Sequence, residues 1–316
     1  MSASVTSSLR TAGGTGDSHW DLDRIVADLG SSRAAARPNQ RRNGIHHLPS
    51  REALARVVER LFAVLFPAHF GPPELSEEGI DYFVGQTLDA SLTALREQVH
   101  RELALSHARE AGDREARAIE ITRAFAATLP AIRNALDKDI QAAYDGDPAA
   151  LSIDEVLFCY PGITAVTHYR LAHALHRLGV PLLARIISER AHSATGIDIH
   201  PAAEIGASFF IDHGTGVVIG ATAVIGERVR LYQAVTLGAK RFAVDDQGTL
   251  VKGVPRHPIL EDDVVIYAGA TILGRVTIGR GSTIGGNVWL TRSVPPGSNI
   301  TQAQARNEAF EGGAGI

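Results

Sequence analysis

Two pairs of adjacent side chains in this sequence have the makings of a reaction centre, Asp212-His213 and Arg256-His257, with Asp198 upstream beside His200-Pro201. A neutral imidazole acts as a general base near neutral pH. A carboxylate on its other ring nitrogen fixes the tautomer and stabilises the imidazolium. An aspartate, a histidine and an Arg-His pair therefore suffice to activate a hydroxyl while holding an anionic substrate. The chain has thirteen histidines, so a lone one carries no weight. His213, His257 and Asp198 stand apart because each interrupts a repeat that is otherwise aliphatic and small. No serine stands in a nucleophile elbow within that repeat, and Cys159 lies outside it, which favours direct transfer over a covalent intermediate.

The repeat that must position these groups runs from Ile199 to Leu290. Aliphatic residues fall at every sixth position at Ile199, Ile205 and Ile211, then at Ile219, Ile225, Leu231 and Leu237, and again from Leu260 through Ile266, Ile272, Ile278 and Ile284 to Leu290. A period of six fits neither an amphipathic helix nor the alternation of a half-buried strand. It fits a parallel β-helix, in which each aliphatic residue stacks on its equivalent in the coil below. No rung buries its own apolar side, so stability accumulates only as neighbours stack. Two extra residues follow the Asp212-His213 pair, and between Leu237 and Leu260 the phase is lost altogether. A long polar insertion from a regular coil is usually functional. Its Lys240, Arg241 and Lys252 suit acyl-carrier phosphates or a plain solvated loop equally well.

Composition bounds the rest. Hydrophobic residues make up 45% and charged residues 21%, the balance of a soluble globular protein. A net charge of −4 argues against a general nucleic-acid binder. The single Cys159 rules out an internal disulfide and a cysteine-rich zinc site. The sequence holds neither a signal-peptide pattern nor an apolar run fit to span a membrane, so a cytoplasmic protein is expected.

In order, residues 1–48 read as a flexible tail, with a short helical piece from Asp21 to Leu29 and a basic run from Arg37 to Gly44. Residues 49–194 read as an α-helical domain. After a Ser50 cap, Leu54, Val57, Val58 and Leu61 recur at helical spacing. Further helices are expected over Gly79–Leu105, Asp113–Leu129, Pro130–Tyr144, Ser152–Phe158, Ile163–Leu178 and from Pro181 to about His192. Residues 195–297 form the β-helix with its loop insertion at 239–258, and 298–316 a second flexible tail.

At its most specific stretches the chain resembles the serine O-acetyltransferases. They are Asp198-Ile199-His200-Pro201, Asp212-His213-Gly214-Thr215-Gly216, Gln233-Ala234-Val235-Thr236-Leu237-Gly238, Arg256-His257-Pro258 and Ala268-Gly269-Ala270, with Asp147-Pro148-Ala149 upstream. The likeness is strong over residues 140 to 297. It implies an α+β chain, an N-terminal α-helical domain followed by a left-handed parallel β-helix, that transfers acetyl from acetyl-CoA to the L-serine hydroxyl, the first step of cysteine biosynthesis. By position, the resemblance makes His213 the general base and Asp198 its orienting carboxylate. It puts Asp147 and Asp212 at the serine amino group, and Arg256 and His257 at its carboxylate. Backbone amides near Gly238, Ala239 and Ala268 would hold CoA and the oxyanion, with no metal. It further implies a homotrimer or a dimer of trimers with the site between adjacent β-helices, inhibition by L-cysteine, and docking of O-acetylserine sulfhydrylase onto the C-terminal Ile316. The chain departs from the family pattern at Ala221, where a glutamate is usual, in its longer loop after Gly238, and at Thr301–Arg306.

Three other readings fit parts of the sequence. A γ-type carbonic anhydrase would hold a metal on His200, His213 and His257, whose spacings do not match that family's. A non-catalytic scaffold would not need the Asp-His and Arg-His residues. A sugar or antibiotic O-acetyltransferase would have less use for Asp147 with Arg256-His257.

Overall fold

The computed structural model describes residues 20–36, 48–105, 111–241 and 245–302. The basic run from Arg37 to Gly44 and the terminal Ile316 lie outside them. The chain divides into two units, Met1–His46 and His47–Ile316. In the first, α1 runs from Leu22 to Ala36, past the expected end at Leu29. Its Leu22, Ile25, Val26 and Leu29 are exposed.

The second unit begins with α2 (Arg51–Leu65), where the Ser50 hydroxyl oxygen accepts the Ala53 N–H as an N-cap. α3 (Pro67–Phe70), a 3-10 turn at Glu77–Gly79 and α4 (Ile80–Leu103) follow. α5 (Ala111–Gly146) is one helix where two were expected, with Pro130 inside it. Proline in a helix interior costs about 3 kcal/mol. Here Ile121, Phe125, Leu129, Ile132, Leu136 and Ile140 form one buried stripe that runs straight past the proline. Burying such side chains contributes about 1.5–3 kcal/mol each, so the stripe wins. α6 (Ile153–Cys159), α7 (Pro161–Arg177) and α8 (Pro181–Thr195) complete the helices. Gly196, at φ 71°, caps α8 and turns the chain into the first coil.

The C-terminal part is a left-handed parallel β-helix of three sheets. The first sheet stacks β1 (Asp198–Ile199), β4 (Val218–Ile219), β7 (Thr236–Gly238), β10 (Thr271–Leu273) and β13 (Trp289–Leu290). The second stacks β2 (Glu204–Ile205), β5 (Val224–Ile225), β8 (Ile259–Leu260) and β11 (Thr277–Ile278). The third stacks β3 (Phe210–Ile211), β6 (Arg230–Leu231), β9 (Val265–Ile266), β12 (Thr283–Ile284) and β14 (Asn299–Ile300). The period-six residues are in register, so Ile199, Ile219, Leu237, Ile272 and Leu290 form one inner column. β14 lies beyond the expected end of the array at 297. Val294 bridges Ile278 and Ile300 pairs with Ile284, so the step from Leu290 to Val294 is four residues instead of six and hides the last coil from a strict period.

Candidate active site

The two-residue insertion sits between β3 and β4, and α5 and α7 both reach it. α5 ends at Gly146, and the next residue, Asp147, accepts the Ala149 N–H at 2.8 Å on Oδ1 and the Tyr160 hydroxyl at 2.6 Å on Oδ2. These bonds, Tyr160's first, hold the Asp147 carboxyl below the usual range, and the charges of His213 and Arg230 add to the effect. Tyr160 immediately precedes α7. The close approach of that helix start to the coil needs Gly162, where a Cβ would fall 2.3 Å from the Ile211 carbonyl oxygen. Asp212 is largely covered and lies 3.7 Å, Oδ1 to Nδ1, from His213, whose side chain is 71% exposed. His213 itself adopts φ 59°, in the left-handed region where Gly, Asn, Asp and His are enriched. Asp147, Tyr160, Asp212 and Arg230 thus gather about the exposed His213 imidazole. Arg230 is fixed there by its guanidinium over the Phe210 ring, 5.2 Å from the centroid.

Asp198 opens β1, in register with Val218. Among the described residues the ion pair of His213 is with Asp212, and no side-chain hydrogen bond reaches the Asp198 carboxylate. The Tyr160 and Arg230 contributions were not anticipated from sequence. The Tyr-Pro-Gly start of α7 was the available signal for the first; for Arg230, an outward strand position among many, there was none.

The second group lies where the long loop rejoins the coil. His257 is buried, and its Nδ1 accepts the Thr222 N–H at 3.1 Å and lies 2.9 Å from the Thr222 hydroxyl. That hydroxyl oxygen accepts the N–H groups of Arg256 and His257 at 2.9 and 3.1 Å, and Arg275 donates to the carbonyls of Thr222 and His257. Gly220 is required beneath the ring, because a Cβ there would fall 2.0 Å from Cδ2. The Nε atom of Arg256 is buried with no hydrogen-bond partner. His200, whose Nδ1 accepts the Ala202 N–H at 3.0 Å, is close enough to feel the charges of His257, Arg256, Arg185 and His176.

The two groups occupy different corners of the prism. The Asp212-His213 insertion joins the third sheet to the first, whereas Arg256-His257 lie on the connection from the first sheet to the second. Gly238 and Ala239 are on that second corner as well, and Ala268 is on the first. One chain therefore brings Asp147, Asp212 and His213 together and keeps Arg256 and His257 apart from them. In the loop, Asp245 accepts the N–H groups of Gln247 and Thr249, both at 2.9 Å, which closes a tight turn. Among the described residues no three His, Cys, Asp or Glu side chains converge as metal ligands would, and no helix is long and apolar enough to cross a membrane.

His257 and His200 are each pushed down to about 4 from the ordinary 6.5, by burial first and by the surrounding cations second. For a histidine depressed in the folded state, the stability is fully present above the unfolded value and falls as pH drops towards the folded one. Allowing for solvent screening, each contributes about 1–2 kcal/mol across that window. The denaturation midpoint should therefore fall between pH 6.5 and 5, and the slope should flatten in a His200→Gln, His257→Gln double variant. An unchanged slope would mean that these rings are solvated in the folded protein.

Comparison with known proteins places this geometry in context. Residues 257–292 match the family model described as bacterial transferase hexapeptide (six repeats). The serine acetyltransferase, plasmid, of Synechococcus elongatus is 61% identical over 305 residues, covering 94% of this chain and 95% of that protein. The serine acetyltransferase of Mycobacterium tuberculosis is 49% identical over 166 residues, covering 52% of this chain and 69% of that protein. Among solved structures, Entamoeba histolytica serine acetyltransferase 1 in complex with L-cysteine superposes with a TM-score of 0.69 at 37% identity, covering 78% of this chain and 86% of that one. Soybean serine acetyltransferase complexed with serine gives 0.53 at 32% identity, covering 82% and 99%.

Proposed function

The chain belongs to the serine acetyltransferase family and is an acyltransferase; on that premise we propose that it moves acetyl from acetyl-CoA to the hydroxyl of L-serine by direct transfer, with His213 as general base. The observation that carries this is the exposed His213 imidazole held at a built corner with Asp147, Tyr160, Asp212 and Arg230 around it. Asp147 and Asp212 receive the serine ammonium, Asp147 being kept ionised by Tyr160. His213 takes the proton from the serine hydroxyl as its oxygen forms the bond to the thioester carbonyl. The imidazolium returns that proton to the CoA sulfur as the carbon–sulfur bond breaks. Asp198, on the strand beside the insertion, steadies the imidazolium. Backbone N–H groups near Gly238, Ala239 and Ala268 take the developing oxyanion and CoA.

The serine carboxylate falls to Arg256 and His257. Because these lie at another corner of the prism, they come from a neighbouring copy, in the homotrimer that the family resemblance implies. A dimer of trimers repeats the same shared sites. L-cysteine, which has the serine frame with sulfur for oxygen, occupies the same site as feedback inhibitor. Its complex with the Entamoeba protein supports this. Ile316, outside the described residues, is the contact for O-acetylserine sulfhydrylase, and the reaction is cytoplasmic.

The test is release of free CoA from acetyl-CoA with L-serine against a panel of hydroxyl acceptors. Serine-dependent turnover that exceeds every sugar acceptor is expected. Turnover with a sugar and none with serine would keep the transferase chemistry and overturn the substrate.

A further inference from the structure

Thr222 is a half-buried residue of the turn between the first and second sheets, and no part of the mechanism above uses it. Yet its hydroxyl sits at the centre of the Arg256-His257 corner. A backbone N–H can only donate, so the Thr222 N–H, 3.1 Å from His257 Nδ1, requires Nδ1 to be an unprotonated acceptor. The neutral ring must then carry its proton on Nε2. The Thr222 hydroxyl, 2.9 Å from Nδ1, is turned the same way, because its own oxygen is occupied by the N–H groups of Arg256 at 2.9 Å and His257 at 3.1 Å. One threonine therefore fixes the tautomer of the ring and pins the backbone of both residues at the mouth of the long loop. Arg275 closes the arrangement from the other side by donating to the carbonyls of both Thr222 and His257.

We propose that Thr222 is a positioning residue that sets His257 as an Nε2–H donor and thereby makes it a recognition group for the acceptor's carboxylate rather than a second base. The ring lies directly over Gly220, and a flip would set a carbon in place of Nδ1 against the Thr222 N–H. Its depressed basicity agrees, since the ring stays neutral, donates from Nε2 and has its one basic lone pair, on Nδ1, held by Thr222. This proposal rests on the assignment of Arg256 and His257 to the serine carboxylate.

The experiment compares Thr222→Val, which keeps size and removes the hydroxyl, with Thr222→Ser, which restores it. The expected result for Thr222→Val is a rise in serine KM of about tenfold to hundredfold, a smaller change in kcat, and an unchanged acetyl-CoA KM. Thr222→Ser should return serine KM to within a few-fold of the starting protein. In parallel, nitrogen NMR of the histidine rings in the full-length protein should show His257 protonated at Nε2 alone. The Thr222→Val ring keeps the backbone donor, so it should stay protonated at Nε2 but show a higher pKa, because one of the two donors to Nδ1 is gone. A serine KM within twofold of the starting protein in Thr222→Val would overturn the proposal. So would equal losses for serine and acetyl-CoA, the mark of a merely structural role, or a His257 ring protonated at Nδ1 in the unaltered chain. If serine is no acceptor even for the unaltered protein, the functional assignment fails by itself, and the NMR comparison still decides whether Thr222 sets the ring.

Discussion

Replacing His213 with asparagine lowers serine-dependent CoA release by about a hundredfold to ten-thousandfold, the range a positioned general base contributes. The expected loss is in kcat, with acetyl-CoA KM and the far-ultraviolet spectrum unchanged. Asparagine is the informative substitution because residue 213 sits at φ 59°, where asparagine is comfortable and alanine less so. The loss then reports the missing base and not a distorted turn. The exposure of the imidazole argues the same way, since a side chain 71% exposed supports little of the fold. Steady-state kinetics of His213→Asn alongside His213→Ala decide the matter. Activity within tenfold of the starting protein in the asparagine variant would move the proton transfer to another group.

The β-helix was legible because its stability is a sum of identical steps. Each coil buries only what stacks on the next, so Ile199, Ile219, Leu237, Ile272 and Leu290 had to recur in phase, and they do. The same logic explains the failure at the end. A connection shortened between Leu290 and Val294 leaves the stacking of Ile300 on Ile284 intact while breaking the count. Pro130 misled for a different reason. A local rule about the proline ring was overridden by a stripe of burial extending from Ile121 to Ile140, and burial is decided by what the helix packs against.

At the site, Asp147, Asp212 and His213 were recognisable from residue type and motif, but the groups that tune them were not. Tyr160 reaches Asp147 across a whole helix, and Thr222 meets His257 at a sequence separation of 35. Neither contact has a periodicity, and a tyrosine or threonine in a turn is unremarkable by composition. Such partners become visible only once the fold has brought the elements together. The separation of His213 from His257 belongs to the same class. The sequence motifs put both in one reaction, whereas the strand order sets them on different corners of one chain.

The strongest expected effect on stability concerns a pair that never touches substrate. Asp139→Ala should cost about 3–5 kcal/mol, read as a fall in the denaturant midpoint at constant slope. Asp139 is fully buried on α5, and its carboxylate receives Arg170 of α7 through both oxygens, at 2.5 and 2.8 Å. Oδ1 also accepts the buried Phe209 N–H at 2.9 Å, while Arg170 donates to the Gly206 carbonyl at 2.9 Å. Burial pushes the carboxyl up, and the arginine's hydrogen bonds and charge pull it back. Removing the carboxylate alone strands a guanidinium and a backbone N–H inside the protein, which is why the single variant is costly. Replacing both residues with leucine removes the stranded charge, so the double variant should be more stable than Asp139→Ala. A single variant within 1 kcal/mol of the starting protein would show that water takes the carboxylate's place. The pair also ties α5 and α7 to the first coil, and those helices deliver Asp147 and Tyr160 to the His213 corner. Serine KM in Asp139→Ala should therefore rise under conditions where the chain is still folded, because the clamp that aligns the acceptor site loosens before the β-helix does.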